Sequence, residues 1–279
     1  MKPAAFDFAR AASLAEAARL LAGSGGAARL VAGAQSLGPM LNLRLVQPAL
    51  LIDITAIPQM TAVERDADAT LLGACVTSAD VEDGRAAVPG CAMLAAVAGG
   101  IAYRAVRNRG TIGGSLCHAD PAADWVSVLT ALGAECVISD GGGTRRMPVE
   151  RFVTGAFEVA LEAGEVLRAV RIPHASPGAR WGYYKICRKA GEFALAIGAV
   201  LIDADRDVFR AVLGAFEQRP VVLADMRDLF RGAAGAGEGL TLDERAAHAL
   251  LEQHGQTDPI ARRLHLTALA RAAHMAVAS

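Results

Sequence analysis

The chain has 279 residues, of which 53% are hydrophobic and 20% are charged. A chain this apolar buries enough surface to offset its ordering entropy, which excludes an intrinsically disordered protein. Its 28 basic and 29 acidic residues leave a formal net charge of -1, which excludes a general basic field for nucleic acid or an anionic membrane.

The first fifty or so residues predict a small unit of one helix and two strands. Ser13 and Glu16 have the spacing of a capping box, and the helix that follows is expected to end at Gly23. A short apolar strand is predicted at 29–32, a loop at 33–39 and a buried strand at 49–54.

Short strands and helices are predicted to alternate in the middle of the chain. Two strands flank the turn at 66–68, helices lie near 78–83 and 91–99, and strands recur at 135–139, 144–148 and 166–172. The glycine-rich segment 110–115 is expected to interrupt regular structure. Pro121 is expected to open a helix that runs to Leu132, with Asp120 as its N-cap.

Two prolines and a glycine at 173–178 predict a linker before the C-terminal part. Beyond it, 180–188, 194–202 and 207–215 predict a three-stranded antiparallel meander. A helix at 220–231, a flexible stretch at 232–239 and two further helices follow. Strands followed by helices indicate an α+β domain. His265 and His274, on the last helix, are expected at the surface.

Two glycine-bearing loops, at 32–36 and 111–115, are candidates for binding chemistry. Glycine and alanine let backbone N–H groups approach a ligand closely, and hydroxyl side chains add further donors. Such a loop suits a diphosphate, although either loop alone is more often a simple turn. Neither loop is a G-x-G-x-x-G fingerprint or a P-loop, so the sequence does not predict a Rossmann NAD site.

Other polar residues have both a functional and a structural interpretation. Arg104, Arg107 and Arg109 are a solvated face, a counter-charge for a bound diphosphate, or a docking site for an acidic partner. His118 is an acid–base group or, more simply, a loop histidine with a local hydrogen bond. The five cysteines are an odd number without close spacing. This pattern is typical of reduced thiols in the cytoplasm and excludes a local iron–sulfur or zinc motif.

Five ordered segments resemble the FAD-binding medium subunits of molybdenum hydroxylases, the family of carbon monoxide dehydrogenase and xanthine dehydrogenase. They are VAGAQSLGPMLNLRLVQPALLIDI (31–54), TIGGSLCHADPAADW (111–125), EVLRAVRIP (165–173), YKICRKAGEFALA (184–196) and DPIARRLHLTALARAA (258–273). The resemblance implies an α+β fold with an FAD-binding domain of the vanillyl-alcohol oxidase and p-cresol methylhydroxylase type at 1–176. Its subdomains would cover about 1–57 and 58–176. A smaller α+β domain with a three-stranded antiparallel sheet and helices would follow at 177–279.

The resemblance also implies a set of cofactor-binding residues. One loop would wrap the FAD diphosphate and the other would clamp it. Ile101 and Leu167 would lie by the adenine half, Asp124 would bind sugar or ribityl hydroxyls, and Lys185 and Phe193 would lie by the flavin. The implied set is Leu30, Val31, Ala32, Gly33, Ala34, Gln35, Ser36, Leu37, Ile101, Thr111, Ile112, Gly113, Gly114, Ser115, Asp124, Leu167, Lys185 and Phe193. No catalytic side chain and no metal ligand are expected on this chain.

Two positions depart from the family pattern: Ala34 in the first loop, and Ser115 in the second, where many relatives have asparagine. Ala34 replaces a glycine of the family pattern, and alanine tolerates positive φ poorly. Gln35 lies near the place where superfamily members with covalent flavin often have histidine, so non-covalent FAD is expected.

The function implied by the resemblance is electron transfer within a heterotrimeric, cytoplasmic oxidoreductase. A large molybdopterin subunit would oxidise the substrate, and a small subunit would relay electrons through [2Fe-2S] clusters to the FAD of this chain. The final acceptor would be NAD, quinone or oxygen. Two alternatives stay open: a stand-alone, non-covalent flavin oxidase or dehydrogenase of the same superfamily, and a non-catalytic assembly subunit. Neither nucleic acid binding nor a membrane span is expected.

Overall fold

The N-terminal part of the chain is a parallel sheet built around one buried strand. The computed structural model describes residues 2–232 and 240–278. The first elements are β1 (Asp7–Arg10), α1 (Leu14–Gly23), β2 (Ala28–Val31), α2 (Leu37–Asn42) and β3 (Leu50–Asp53). Strand β3 lies between β1 and β2 and pairs with both in parallel. Its apolar sequence suits this central position, where Ile52 is fully buried.

Helix α1 begins and ends where the sequence predicts. Ser13 is the N-cap, and its Oγ accepts a hydrogen bond from the Glu16 N–H at 3.2 Å. The Glu16 carboxylate reaches back to the Ala12 N–H at 2.8 Å. In the standard capping box this carboxylate would accept from the N–H of the N-cap residue, Ser13. Here it accepts from the residue before the N-cap.

A five-stranded antiparallel sheet forms the middle of the chain, in the order β4-β5-β10-β6-β7. The first elements are α3 (Pro58–Thr61), β4 (Val63–Arg65), β5 (Ala69–Gly73), α4 (Ser78–Glu82), α5 (Ala92–Gly99) and α6 (Arg104–Arg107). They are followed by α7 (Ile112–His118), α8 (Asp124–Ala131), β6 (Glu135–Ser139), β7 (Thr144–Pro148), α9 (Val149–Phe152), β8 (Val153–Gly155), β9 (Glu158–Val159) and β10 (Val166–Pro173). The strands predicted on either side of the 66–68 turn and at 135–139, 144–148 and 166–172 are all present.

The glycines at 113 and 114 do not interrupt regular structure, so that expectation for 110–115 was wrong. They lie in the first turn of α7, where the Thr111 Oγ1 accepts a hydrogen bond from the Gly114 N–H at 3.0 Å. A Cβ atom at Gly113 would lie 2.3 Å from the Ala74 Cβ. Glycine is therefore required at 113 for close packing, not for a turn.

Helix α8 starts at Asp124, three residues later than predicted. Asp120 is not its N-cap, because the Asp120 Oδ1 instead accepts the Ala122 N–H at 2.9 Å in the preceding turn. Ala123 occupies the N-cap position. This places the Asp124 side chain in the first turn of α8.

The C-terminal part contains an antiparallel sheet in the order β11-β12-β13-β14. Its elements are β11 (Arg180–Ile186), β12 (Ala196–Asp203), β13 (Val208–Gly214), β14 (Val221–Leu223), β15 (Phe230–Arg231), β16 (Thr241–Leu242), α10 (Glu244–Gln253) and α11 (Pro259–Ala278). The predicted meander corresponds to β11–β13. Apart from Gly232, the stretch predicted to be flexible at 232–239 lies outside the described residues.

The helix predicted at 220–231 was wrong, and the sheet has a fourth strand there. Val221 and Leu223 are buried where β14 pairs with the edge of β13. Strand pairing along an apolar, valine-rich segment outweighs any helical preference. A 3-10 turn at Met226–Asp228 follows.

One face of the C-terminal sheet belongs to the same apolar core as the middle sheet. Ala199, Leu201 and Val212 pack in one cluster with Trp125 and Val128 of α8. A Cβ atom at Gly214 would lie 2.0 Å from the Ser127 Oγ, so α8 rests directly on β13. The start of α8 is thereby fixed to the C-terminal part of the chain.

The other face of this sheet is covered by α11. A Cβ atom at Gly182 would lie 1.8 Å from the carbonyl oxygen of Ala272, which shows how closely helix and sheet approach. His265 of α11 was expected at the surface but is only 1% exposed, with its ring stacked on Phe216 at 4.3 Å between centroids. Among the described helices, none has the length and hydropathy required to cross a membrane.

Candidate functional site

A cavity of about 1110 Å³ is lined by segments from the N-terminal, middle and C-terminal parts of the chain. Small-molecule pockets usually have volumes of about 300–1,000 Å³. The cavity therefore has room for a ligand of dinucleotide size.

Most residues of the predicted cofactor set line this cavity. They are Leu30, Ala32, Gly33, Ala34, Gln35, Ser36, Leu37, Ile101, Thr111, Gly113, Gly114, Ser115, Asp124, Leu167 and Phe193. Val31, Ile112 and Lys185 are not in the lining. Ile112 is fully buried beneath it, and Lys185 lies behind Asp124.

The two glycine-bearing loops lie side by side in the cavity wall. A Cβ atom at Gly33 would lie 1.9 Å from the carbonyl oxygen of Arg109, just before the second loop. A Cβ atom at Gly114 would lie 3.9 Å from the Ala32 Cβ. Segments about eighty residues apart in sequence thus form one continuous surface.

The first loop presents a run of free backbone donors. Within the described part of the chain, the N–H groups of Gly33, Ala34, Gln35 and Ser36 donate to no acceptor. Ala34 has a φ of 59°, in the left-handed region. Alternation of right- and left-handed residues turns successive N–H groups into one concavity, which is called a nest and binds anions. This loop can therefore hold a phosphate without a positively charged side chain.

The second loop does not form a second nest, although its sequence suggested one. Its N–H groups already donate within the fold: Ile112 to Val76 O at 3.0 Å, Gly113 to Ala74 O at 3.0 Å, Gly114 to Thr111 Oγ1 at 3.0 Å, and Ser115 to Thr111 O at 3.0 Å. What this loop offers the cavity is a surface without bulky side chains at Gly114, together with the Ser115 hydroxyl.

Asp124 is held from behind by two side chains of β11. Its Oδ1 accepts a hydrogen bond from the Tyr183 hydroxyl at 2.5 Å and pairs with the Lys185 Nζ at 2.9 Å. Burial, reinforced by the Asp124 charge, raises the pKa of Tyr183 well above its ordinary value, so Tyr183 stays a donor. No described group donates to Oδ2, which is left to accept hydroxyl groups of a ligand.

The mouth of the cavity carries aromatic side chains. Phe193 and Tyr103 are each 72% exposed, and both line the cavity. Tyr103 was missed by the sequence analysis, since a tyrosine beside arginines has no distinguishing pattern. His118 also lines the cavity. It is the last residue of α7 and not a loop residue as predicted, and its ring packs on Phe157 at 5.1 Å between centroids.

The arginine cluster is largely neutralised within the chain. Arg104 pairs with Glu82 at 2.7 Å and with Asp83 at 2.5 Å, and Arg107 pairs with Glu82 at 2.8 Å. The side chain of Arg107 is only 11% exposed, which argues against the solvated-face interpretation for Arg107, whereas Arg104 is exposed and fits that interpretation.

The chain resembles known flavoprotein subunits over its whole length. Residues 4–175 match the family model described as FAD binding domain in molybdopterin dehydrogenase. Caffeine dehydrogenase subunit beta of Pseudomonas sp. strain CBB1 is 37% identical over 228 residues, which cover 79% of this chain and 76% of that protein. Carbon monoxide dehydrogenase medium chain of Hydrogenophaga pseudoflava is 36% identical over 202 residues, covering 72% and 70%.

Solved structures extend the similarity to the C-terminal part. A carbon monoxide dehydrogenase from Hydrogenophaga pseudoflava superimposes with a TM-score of 0.87 at 30% identity, covering 100% of this chain and 99% of that chain. Quinoline 2-oxidoreductase from Pseudomonas putida 86 superimposes with a TM-score of 0.80 at 31% identity, with the same coverage. The similarity therefore includes the C-terminal sheet and helices, beyond the range of the family model.

Proposed function

This chain belongs to the family of FAD-binding domains of molybdopterin dehydrogenases, and on that premise we propose that it is the FAD-carrying medium subunit of a heteromeric molybdenum hydroxylase. In this role it is an oxidoreductase subunit that receives electrons from [2Fe-2S] clusters on a partner and delivers them to an external acceptor. The observation that carries the proposal is the run of free N–H groups at 33–36 in a cavity of dinucleotide size.

The residues present fit FAD on three counts. The nest at 33–36 supplies converging backbone N–H donors, which can bind a diphosphate without a positively charged side chain. Gly33 and Gly114 keep the wall free of side chains where the two loops meet. Asp124 offers one carboxylate oxygen for hydroxyl groups, while its other oxygen is already bonded.

Bound FAD would supply the capacity to exchange electrons both singly and in pairs. The protein's own residues bind and orient it in this proposal. Ile101 and Leu167 would provide apolar contact for the adenine half, and Phe193 would cover the flavin. Lys185 would act by holding Asp124. No side chain of this chain is assigned a covalent or acid–base step.

The partners are a large molybdopterin subunit and a small [2Fe-2S] subunit, in a heterotrimeric unit. The relatives' names, "medium chain" and "subunit beta", describe components of larger enzymes and support this assignment. NAD, quinone and oxygen are the candidate acceptors. We also propose the cytoplasm as the compartment and domain boundaries at 1–57, 58–176 and 177–279, because each range contains its own sheet.

Reconstitution of the purified full chain with FAD tests the proposal. The expected result is equimolar bound flavin, visible in the absorption spectrum, with no substrate turnover until both partner subunits are added. Turnover by the chain alone would favour a stand-alone oxidase or dehydrogenase. Absence of flavin binding would favour an assembly subunit.

Acid denaturation of the reconstituted protein tests the mode of attachment. Gln35 lies near the place where superfamily members with covalent flavin often have histidine. All of the FAD is therefore expected in the supernatant and none with the precipitated polypeptide. Flavin that stays with the precipitate would show a covalent bond and contradict this expectation.

A further inference from the structure

The turn at 100–103 forms one wall of the cavity, and three successive carbonyls of this turn are bound by cationic side chains. The Lys185 Nζ donates to Gly100 O at 3.2 Å. The Arg107 Nη1 donates to Ile101 O at 2.9 Å and to Ala102 O at 3.1 Å. Hydrogen bonds from charged donors are stronger than those between neutral groups, so these contacts restrain the turn.

Arg107 is itself anchored on its opposite edge. Its Nε donates to Glu82 Oε2 at 2.8 Å and its Nη2 to Glu82 Oε1 at 2.9 Å, and its side chain is only 11% exposed. The planar guanidinium of arginine can make such a two-point contact with a carboxylate and still donate from Nη1. The ammonium group of lysine lacks this rigid arrangement of donors. Hydrogen bonds from Arg107, the largest contribution, hold the pKa of Glu82 below its ordinary value, so Glu82 stays an anionic anchor.

The turn needs such support because the backbone of one of its residues, Ala102, is in an unfavourable conformation. Ala102 has a φ of 43°, which is costly for a residue with a Cβ atom. Gly191 packs against the same point, where a Cβ atom would lie 2.8 Å from Ala102 O. Residues on both sides of Ala102, Ile101 and Tyr103, face the cavity.

We propose that Arg107 is a positioning residue for the cofactor, which acts by fixing the 100–103 turn so that Ile101 and Tyr103 meet the bound nucleotide. This inference rests on the proposed FAD site. Arg107 itself also lines the cavity. Four of its five N–H groups, however, are used on Glu82 and on the two carbonyls, so we assign its effect on the cofactor to the turn.

Arg104 provides a matched control for Arg107. It lies on the same short helix and also binds Glu82, through Nη1 at 2.7 Å, and it binds Asp83 as well. None of its hydrogen bonds reaches the 100–103 turn. Substitution of either arginine removes a partner of Glu82, but only substitution of Arg107 releases the turn.

The experiment measures the FAD dissociation constant of the full chain by flavin fluorescence, together with the unfolding temperature of the FAD-free protein. The variants are Arg107→Met, Arg107→Lys and the control Arg104→Met. We expect Arg107→Met to weaken FAD binding about tenfold and Arg104→Met to leave it within about twofold. Arg107→Lys, which keeps the charge but loses the fork, is expected to fall between them.

The outcomes separate this inference from the proposed function. If the unmodified chain binds no FAD, the proposed function fails. If it binds FAD and Arg107→Met binds equally well, or if both Met variants weaken binding equally, the positioning role is refuted. If Arg107→Met does not fold, the comparison of Arg107→Lys with Arg104→Met decides: equal dissociation constants refute the role. The visible circular dichroism of the bound flavin is a second readout, expected to change only in the Arg107 variants.

Discussion

Ala34 occupies a backbone conformation that glycine adopts more readily. Its φ of 59° lies in the left-handed region, which costs a non-glycine residue about 1 kcal/mol. Ala34→Gly is therefore expected to raise the free energy of unfolding by up to about 1 kcal/mol, measured by urea denaturation. The control Ala249→Gly, at an exposed position within α10, is expected to lower it by about 1 kcal/mol. A less stable Ala34→Gly protein would contradict this account of the loop.

Gly33 and Gly38 lie in the same segment but have opposite surroundings. A Cβ atom at Gly33 would lie 1.9 Å from Arg109 O, while nothing lies within 4 Å of one at Gly38. Gly33→Ala is expected to force the two loops apart, abolish FAD binding and lower stability by about 2 kcal/mol. Gly38→Ala, within helix α2, is expected to keep FAD binding and to gain up to about 1 kcal/mol. Equal FAD affinities in equilibrium dialysis would refute the proposed nest.

The burial of His265 is expected to make the free energy of unfolding depend on pH. Burial lowers the pKa of His265 from 6.5 to about 4. The unfolded chain therefore binds a proton before the folded chain as pH falls, so stability is lost below about pH 6.5. The difference in pKa predicts a loss of about 2 kcal/mol between pH 7 and pH 5.

Urea denaturation at the two pH values checks this prediction for His265. His265→Gln is expected to remove most of the pH dependence, because glutamine does not titrate. The variant His254→Gln, at an exposed position, should retain it. A pH dependence unchanged in His265→Gln would assign the effect to other groups.

At the level of elements, local sequence patterns predicted the five strands of the middle sheet and both ends of α1, and long-range contacts explain two elements that were missed. The cap at Ser13 was predicted because its signal is contained in a few neighbouring residues. Helix α7 was missed because the glycine at 113 is required by close packing against Ala74, which lies on a segment distant in sequence. Strand β14 was missed because its pairing partner, β13, decides its conformation.

The contact between α8 and β11 includes a nearly buried ion pair beside the hydrogen bond from Tyr183. The side chains of Lys185 and Asp124 are 10% and 11% exposed. Lys185→Met leaves a buried carboxylate without its counter-ion, and is expected to cost about 3 kcal/mol of unfolding free energy and to weaken FAD binding. The double variant Lys185→Met with Asp124→Asn should recover most of the stability, because no charge is left unpaired, but not the FAD affinity. A double variant as unstable as Lys185→Met would show that the ion pair is not the cause.

At the scale of the whole molecule, the sequence motifs located most of the cavity lining. They did not predict how each segment of the lining would contribute to binding. The conformation of Ala34 and the free N–H groups beside it depend on how the first loop packs on Arg109. Two donors of the second loop, the N–H groups of Ile112 and Gly113, are occupied by the carbonyls of Val76 and Ala74, which no motif includes. Tyr103 and Arg107 act through a turn whose shape depends on Glu82 and Gly191, in two other segments.

The packing of α8 on the C-terminal sheet limits where the chain can be truncated for experiments. A fragment ending at residue 176 contains the entire range of the family model, yet it lacks the strands that cover α8. Such a fragment would expose an apolar face and leave Asp124 without Lys185 and Tyr183. Recombinant work on the flavin site should therefore keep the last hundred or so residues attached. These residues lie outside the range of the family model, yet their sheet supports α8 and the Asp124 side chain.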